Sequence, residues 1–233
     1  MKFNKYKSRF EAGEVLAGLI NNECEVLKYH LTHNKEQFFC YAIPNGGIPV
    51  AEGFCKSLNI NYDFLIVRKV KIPFNTEAGF GSVTTDGSVL INESLLSRLN
   101  LTEKDINNAI ELTKQEIKQR LIFYDKEGNL KETYTKNIQG KHVFMIDDGL
   151  ASGFTMLAAI KMVKAYKPSK IYIAVPTAPQ STVQRIEKEV DEIFCPNIRD
   201  VWRFAVAEAY LNWYDVPESE VLELVKNSEF YCP

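Results

Sequence analysis

Two adjacent acids, Asp147 and Asp148, directly follow four apolar residues at 143–146. The apolar run predicts a buried strand, and a pair of carboxylates at the end of a buried strand is costly unless something neutralises or hydrogen-bonds it. Vicinal hydroxyl groups and a divalent cation are suitable partners for such a pair. These residues therefore favour the binding of a diol, a metal ion or both.

A short loop separates the acids from a helix predicted over 154–166. The segment that would hold an anion there consists of Gly149, Leu150, Ala151, Ser152, Gly153, Phe154 and Thr155. The first N–H groups of a helix point outward at the positive end of its dipole, which suits a phosphate. A turn capped by Ser152 would explain the serine and the glycine but not the two acids. Diol-binding acids beside a phosphate cradle describe a site for a 5-phosphoribosyl group.

Strands and helices that alternate along the chain must position this segment. Apolar runs predict strands over 38–43, 64–67, 142–146, 170–175 and 192–195, with helices over 48–58, 154–166 and 181–190. This alternation predicts an α/β fold, a Rossmann-like parallel sheet flanked by helices. Ligands of such sheets bind at the carboxyl ends of the strands, where the loops of interest lie.

Two further segments are predicted to stand apart from the sheet. Residues 70–87 are rich in Gly, Thr and Asn, and this composition predicts a long loop with at most a short hairpin. Long loops in compact domains are usually functional or mobile. Residues of about 88–140 read as a helical and hairpin insertion or hood within one domain of residues 1–233. The insertion would contain a capping box at Thr102 and Asp105 and a hairpin turn at 125–129.

The composition excludes several classes of protein. A net charge of −2 gives no global field that would recruit nucleic acid or an anionic membrane. The five cysteines contain no Cys-x-x-Cys pair, which is typical of a reduced cytoplasmic protein. The chain also lacks the Gly-rich loop with Gly-Lys-Ser/Thr of the nucleoside triphosphatases. We therefore expect a cytoplasmic protein without nucleic-acid or membrane partners.

The segment from 143 to 155 resembles the signature of the type I phosphoribosyltransferases. The wider chain is similar to bacterial "predicted phosphoribosyltransferase" proteins, whose substrate is generally unassigned. The supporting stretches are 42–50, 67–69, 75–81 and 174–179. The resemblance runs from about residue 10 to about residue 225.

This resemblance implies a role for each matching position. Asp147 and Asp148 would hold the ribose hydroxyls of phosphoribosyl pyrophosphate, and the loop through Thr155 would hold its 5-phosphate. Three residues would bind the pyrophosphate group: Asn45, Gly46 and Gly47. Arg68 and Lys69 would begin a flexible loop that closes over the site. Mg²⁺ is the implied cofactor, held by the two acids through ribose hydroxyls or water, in a protein that we expect to be a homodimer.

Two departures from the family pattern leave the reaction partner open. Asn45 stands where a basic residue is frequent, and Ala151 stands where the 6-oxopurine enzymes carry an acid, which disfavours purine salvage by their mechanism. Trp213 and Tyr214 could stack on an acceptor but are more typical of a core or an interface. One function is Mg²⁺-dependent transfer to an unknown nitrogen nucleophile. The alternative is a regulatory protein that binds phosphoribosyl pyrophosphate or nucleotides without turnover.

Overall fold

Parallel strands form the centre of the molecule, as the alternating pattern predicts. The computed structural model describes residues 3–73, 75–126 and 128–233. Within these ranges the strands are β1 (Phe38–Ala42), β2 (Tyr62–Phe64), β3 (Val67–Ile72), β4 (Asn75–Thr84), β5 (Val89–Ile91), β6 (His142–Ile146), β7 (Lys170–Ala174), β8 (Thr177–Pro179), β9 (Glu192–Phe194) and β10 (Asn197–Arg199). The central sheet is parallel, in the order β2-β1-β6-β7-β9. β3, β4 and β5 form an antiparallel sheet, and β8 pairs with β10 in parallel.

The register of the central sheet brings the carboxyl ends of its strands to one edge. Ala42 pairs with Ile146, and Ile146 pairs with Ala174. The loops that begin at Ile43, Asp147 and Val175 therefore start beside one another. This is the edge at which ligands bind in open α/β sheets.

Helices cover both faces of the central sheet. The helices of the described residues are α1 (Arg9–Glu23), α2 (Glu25–His33), α3 (Gly47–Leu58), α4 (Glu93–Leu96), α5 (Glu103–Phe123), α6 (Leu130–Ile138), α7 (Phe154–Ala165), α8 (Gln180–Ile186) and α9 (Glu218–Asn227). Of these, α4 and α5 pack on the antiparallel sheet. Successive strand residues point to opposite faces. Phe144 lies in the core that α1 and α3 cover, whereas Met145 lies in the core that α6 and α7 cover. This arrangement confirms the predicted α/β class. Among the described helices, none has the length and apolarity that a membrane crossing needs.

The segment over 70–87 is a pair of antiparallel strands rather than the long loop that its composition predicts. β3 pairs with β4, and the side chains of Val70, Phe80 and Val83 are fully buried beneath them. A Cβ atom at Gly79 would lie 2.1 Å from Cγ of Lys69, so the glycine is needed for close packing. The glycines of this segment, which predict a loop, instead allow the two strands of a hairpin to pack closely.

The predicted hairpin turn at 125–129 is wrong, because these residues connect α5 to α6; Glu127 lies outside the described residues. Asn129 caps α6, since its side-chain oxygen accepts a hydrogen bond from the Glu132 N–H at 3.3 Å. The Gly-Asn pair therefore begins a helix instead of reversing a strand. The capping box is confirmed: Thr102 and Asp105 exchange backbone and side-chain hydrogen bonds at the start of α5.

Close packing of α1 on α3 fixes the position of the N-terminal helix. A Cβ atom at Gly13 would lie 2.1 Å from the Val50 carbonyl oxygen, and one at Gly53 would lie 2.1 Å from the Phe10 carbonyl oxygen. Contacts of this length with backbone atoms cannot be relieved by moving a side chain. The two glycines therefore allow the helix backbones to touch, and they hold the start of α1 in place.

We predict opposite effects for two glycine-to-alanine substitutions in α1. Gly13→Ala should lower the free energy of unfolding by about 1–3 kcal/mol, because the new methyl group overpacks the helix contact. Gly18→Ala meets no atom within 4 Å and should be neutral or stabilise the helix by up to about 1 kcal/mol. Urea denaturation of both variants checks this. Equal stability of the two variants would contradict the close packing.

Candidate functional site

The acid pair lies at the end of β6, as predicted. Oδ1 of Asp147 accepts a hydrogen bond from the backbone N–H of Asp148 at 2.8 Å. Burial raises the pKa of both carboxyl groups, and the neighbouring charge of Asp148 raises the pKa of Asp147 further. Two carboxylates that are costly to ionise lie together at the sheet edge, which is typical of groups that bind a partner.

Arg9 from α1 neutralises one of these acids, which the sequence did not predict. Its Nε donates a hydrogen bond to Oδ2 of Asp148 at 2.8 Å, and both side chains are largely buried. The guanidinium lies 4.2 Å from the ring centroid of Trp213, and the rings of Tyr210 and Tyr214 lie within 5.5 Å. Trp213 and Tyr214 are exposed and their rings lie near Arg9, so they stand beside the acid pair and not in the core.

The buried face of α1 contains a signal for Arg9. The buried positions of this helix are Arg9, Ala12, Gly13, Leu16, Ala17 and Ile20. An arginine therefore occupies a helical face that is otherwise small or apolar. Such a residue requires a buried anionic partner. The sequence alone does not show which acid, because 139 positions separate Arg9 from Asp148.

The loop after β1 lies directly against the acid pair. A Cβ atom at Gly46 would lie 1.9 Å from Oδ2 of Asp148, and one at Gly47 would lie 3.1 Å from Cα of Asp147. The peptide bond between Pro44 and Asn45 is cis. The contact between a Cβ atom at position 46 and Asp148 means that only glycine lets this loop approach the acids. Helix α3 begins immediately afterwards.

The loop from Gly149 to α7 lies next to the same acids. Gly153 adopts a left-handed conformation with φ of 68°, and α7 begins at Phe154. The backbone carbonyl groups of Ala151 and Ser152 accept hydrogen bonds from the side chains of Thr182 and Arg185, which hold the loop in place. The first N–H groups of an α-helix have no partner within the helix, so the start of α7 can receive an anion.

Neighbouring segments hold the beginning of this loop. The Leu150 N–H donates to the Thr177 carbonyl oxygen at 2.9 Å. A Cβ atom at Gly149 would lie 2.6 Å from Cγ1 of Val206, in the 3₁₀ helix Val206–Ala209. The loop is therefore enclosed by the chain after β7 and by the segment around 206.

The basic pair Arg68 and Lys69 lies within β3, not at the carboxyl end of a central strand. The predicted strand over 64–67 is divided between two sheets, because β2 ends at Phe64 and β3 begins at Val67. The two side chains point to opposite faces of β3: Arg68 is half-buried and Lys69 is exposed. The expectation that they open a flexible loop is corrected, since a paired strand follows them.

Arg120 at the end of α5 reaches the loop after β1. Its Nη1 donates to Oδ1 of Asn45 at 3.1 Å, and its Nη2 lies 2.5 Å from Oε1 of Glu218. The Asn45 amide also donates to the Val216 carbonyl oxygen at 2.8 Å. A cation therefore lies beside the neutral residue of this loop, although 75 positions separate the two in the sequence.

Oxygen ligands for a metal ion are few at this edge. In the part of the chain that the structure describes, no group of three or more His, Cys, Asp or Glu side chains is placed to hold a metal ion. Asp147 and Asp148 offer oxygen donors of the kind that Mg²⁺ prefers, although one oxygen of Asp148 is bound by Arg9. A magnesium ion would therefore need oxygen atoms of a bound substrate or of water to complete its coordination shell.

The sequence of the chain matches a known protein family and two curated relatives. The family model described as a phosphoribosyl transferase domain matches residues 26–210. Two proteins of Mycobacterium tuberculosis, "Putative phosphoribosyl transferase MT0597" and "Putative phosphoribosyl transferase Rv0571c", are each 31% identical over 180 residues. The match covers 77% of this chain and 39% of each relative, so the chain spans less than half the length of these curated relatives.

A solved structure has the same fold. The crystal structure of TT1426 from Thermus thermophilus superposes with a TM-score of 0.72 at 23% identity, over 95% of this chain and 97% of that chain. The signature segment, the parallel sheet and the matched family model agree. The chain belongs to the phosphoribosyl transferase domain family.

Proposed function

We propose that this protein transfers a 5-phosphoribosyl group from phosphoribosyl pyrophosphate to a nitrogen nucleophile of a small acceptor, with Mg²⁺ as cofactor. One observation carries the proposal: the acid pair, the loop over 45–47 and the loop into α7 meet at one edge of the sheet. The donor has a diol, a monophosphate and a pyrophosphate. Each group has a chemically matched neighbour at that edge.

The acids would bind the diol through carboxyl oxygens, in competition with the side-chain hydrogen bond between Asp147 and Asp148. Oδ1 of Asp147 already accepts the Asp148 N–H, and Oδ2 of Asp148 already accepts Nε of Arg9. The remaining oxygens, Oδ2 of Asp147 and Oδ1 of Asp148, would accept from the ribose hydroxyls. Since burial raises the pKa of both carboxyl groups, hydroxyl donors stabilise the ionised pair. The loop of 149–155 would then hold the 5-phosphate at the start of α7.

The reaction breaks the bond between the anomeric carbon and the pyrophosphate oxygen, and the electron pair leaves with pyrophosphate. A nitrogen of the acceptor forms the new bond to the same carbon and loses a proton. Positive charge develops on the sugar, so holding the reactants in line and excluding water are the main tasks of the protein. The two loops that lie beside the acid pair, one of which is held by Thr182 and Arg185, support this positioning role.

Mg²⁺ fits the donor set with one restriction. Two carboxylates cannot complete an octahedral shell, so the oxygens of the donor and water must supply the remaining ligands, as is usual for Mg²⁺ with phosphates. When bound, the ion would neutralise charge on the pyrophosphate. Asp147 and Asp148 are the residues that would hold it, through ribose hydroxyls or water.

Release of pyrophosphate tests the enzymatic proposal. The purified protein should release pyrophosphate from phosphoribosyl pyrophosphate in the presence of Mg²⁺ and one member of a panel of heteroaromatic bases and amines. The Asp147→Asn variant should show none above background. If the protein binds the donor but releases no pyrophosphate with any acceptor of the panel, the regulatory alternative replaces the enzyme.

Cellular location and assembly remain proposals. The five cysteines are all unpaired in the structure, which supports a reducing compartment such as the cytoplasm. Homodimer formation is an expectation from the family resemblance, and light scattering of the purified protein would measure it.

A further inference from the structure

The guanidinium of Arg9 is enclosed more completely than the carboxylate that it binds. The Arg9 side chain is 5% exposed, whereas the Asp148 side chain is 15% exposed. Three aromatic rings surround the guanidinium, and their centroids lie 5.5, 4.2 and 5.4 Å away in Tyr210, Trp213 and Tyr214. A ligand that approaches from solvent therefore reaches Asp148 more readily than Arg9.

Hydrogen bonds hold the segment that carries these rings against the N-terminal segment. The Tyr6 N–H donates to the Ala209 carbonyl oxygen at 2.9 Å, and the Leu211 N–H donates to the Tyr6 carbonyl oxygen at 2.8 Å. The hydroxyl of Tyr210 donates to the backbone carbonyl oxygen of Asp148 at 2.7 Å. The guanidinium, the rings that surround it and the acid are therefore held together as one unit.

The contacts of Oδ2 of Asp148 restrict how a metal ion could bind this acid. Nε of Arg9 donates to Oδ2 at 2.8 Å, and a Cβ atom at Gly46 would lie 1.9 Å from the same oxygen. Oδ2 thus lies between a cation and the backbone of the loop over 45–47. A metal ion that used this oxygen would have to displace the guanidinium.

The positive charge of Arg9 also changes which partner the acid pair favours. Two adjacent carboxylates attract a divalent cation, but a guanidinium beside them repels it strongly where water is excluded. A ribose diol is neutral and donates hydrogen bonds, so this charge does not repel it. Within the described residues, no third His, Cys, Asp or Glu side chain joins the two acids in a group that could hold a metal ion. The arrangement therefore favours a diol over a bare metal ion.

We infer that Arg9 is a positioning residue that makes the acid pair selective for a ribose diol, because it holds Asp148 in place and keeps a bare divalent cation away. The inference rests on the proposed function, since it concerns the acids that would bind the donor. Arg9, Trp213 and Tyr214 lie outside residues 26–210, which are the range of the family match. Segments of this chain beyond the matched domain would therefore provide the selectivity.

Titration with Mn²⁺ alone, followed by electron paramagnetic resonance, tests the exclusion of a bare cation, because Mn²⁺ and Mg²⁺ prefer the same oxygen ligands. Arg9→Gln should bind Mn²⁺ at least about tenfold more tightly than wild type, since a repelling charge is lost. Arg9→Lys keeps the charge and should bind Mn²⁺ like wild type. Addition of Asp148→Asn to Arg9→Gln should remove the gain, because the ion would bind at the acid pair. Arg98→Gln is the control, since it removes an exposed arginine from the segment after α4.

Titration with ribose 5-phosphate in the absence of metal tests the positioning of Asp148. Arg9→Gln should weaken this binding by about 3- to 10-fold, because the carboxylate loses the hydrogen bond that holds it. Arg9→Lys should lie between Arg9→Gln and wild type, since lysine keeps the charge but not the planar fork. Tighter binding of a metal ion and weaker binding of a diol in one variant cannot result from a general loss of structure. Melting temperatures of the same samples show that each variant is folded.

The outcomes separate this inference from the proposed function. Equal Mn²⁺ affinity of wild type and Arg9→Gln, or a gain that persists when Asp148 is replaced, would show that Arg9 has no such role. A micromolar dissociation constant of wild type for Mn²⁺ would overturn the inference as well, and this measurement does not depend on the folding of a variant. If wild type binds neither ribose 5-phosphate nor phosphoribosyl pyrophosphate, the proposed function fails, whereas the Mn²⁺ titrations still decide the role of Arg9.

Discussion

Asp147→Asn should weaken donor binding at least tenfold and at the same time stabilise the protein. Asparagine keeps the oxygen that accepts the Asp148 N–H, but it removes the charge that the ribose hydroxyls and Mg²⁺ require. We expect at least a tenfold loss of affinity, since a hydrogen bond to a charged group contributes about 1.5–3 kcal/mol. The free energy of unfolding should rise on the order of 1 kcal/mol, because a buried ionised carboxylate is removed.

The dependence of this stability gain on pH has a defined sign. Burial and the charge of Asp148 raise the pKa of Asp147 in the folded state above its unfolded value. Ionisation therefore costs stability at any pH above the folded pKa, and this cost disappears as the pH falls through the folded pKa towards the unfolded one. The stability difference between Asp147→Asn and wild type should be larger at the alkaline end of the measured range and should shrink on acidification. Thermal denaturation between pH 5 and pH 8 would measure it.

A purely structural role for Asp147 gives the opposite pattern. In that case Asp147→Asn would lose stability and retain binding. The two measurements on one variant thus separate a functional acid from a structural one, and the stability measurement also shows that the variant folds. Loss of binding in a protein that is more stable than wild type cannot be attributed to unfolding.

Gly46→Ala should produce the second large effect, through sterics rather than charge. The new Cβ atom would lie 1.9 Å from Oδ2 of Asp148, and that carboxylate is held by Arg9. Either the loop over 45–47 or the acid must move. Overpacking of this kind costs about 1–3 kcal/mol. Donor affinity should fall at least tenfold, because a displaced loop or acid no longer meets the ligand.

Melting temperature and calorimetry of Gly46→Ala check this prediction. Gly18→Ala serves as the control, since its new methyl group meets no atom within 4 Å and lies away from the site. Wild-type affinity in Gly46→Ala would show that the loop and Asp148 are not in close contact in solution. The arrangement of the site that we describe would then be wrong.

Local sequence patterns predicted the central sheet and the signature segment well. Most central strands contain a short apolar run, and the acids follow one such run directly. The strand predicted over 64–67 was misplaced, since β2 is Tyr62–Phe64 and contains Asp63. The family resemblance of this segment is confirmed by the matched model over residues 26–210. The roles of the individual site residues, from Asn45 to Thr155, remain proposals.

Contacts between distant segments account for what the sequence did not predict. Arg9 reaches Asp148 only because Gly13 and Gly53 allow α1 to pack closely on α3. Arg120 reaches Asn45 only because α5 continues to Phe123. The antiparallel sheet was predicted only as a loop with at most a short hairpin, because its glycines, which indicate loops, are used for close strand packing. The charge or periodicity of one segment does not show which distant residue or strand it will contact in the fold.

Direct titration of phosphoribosyl pyrophosphate tests the central claim, which is that the acid pair and its neighbouring loops bind this donor. Calorimetry in the presence of Mg²⁺ compares wild type with the double variant Asp147→Asn, Asp148→Asn. We predict saturable binding at one site per chain in wild type and no measurable binding in the folded double variant. Absence of binding in wild type, or equal affinity in both proteins, would contradict the account.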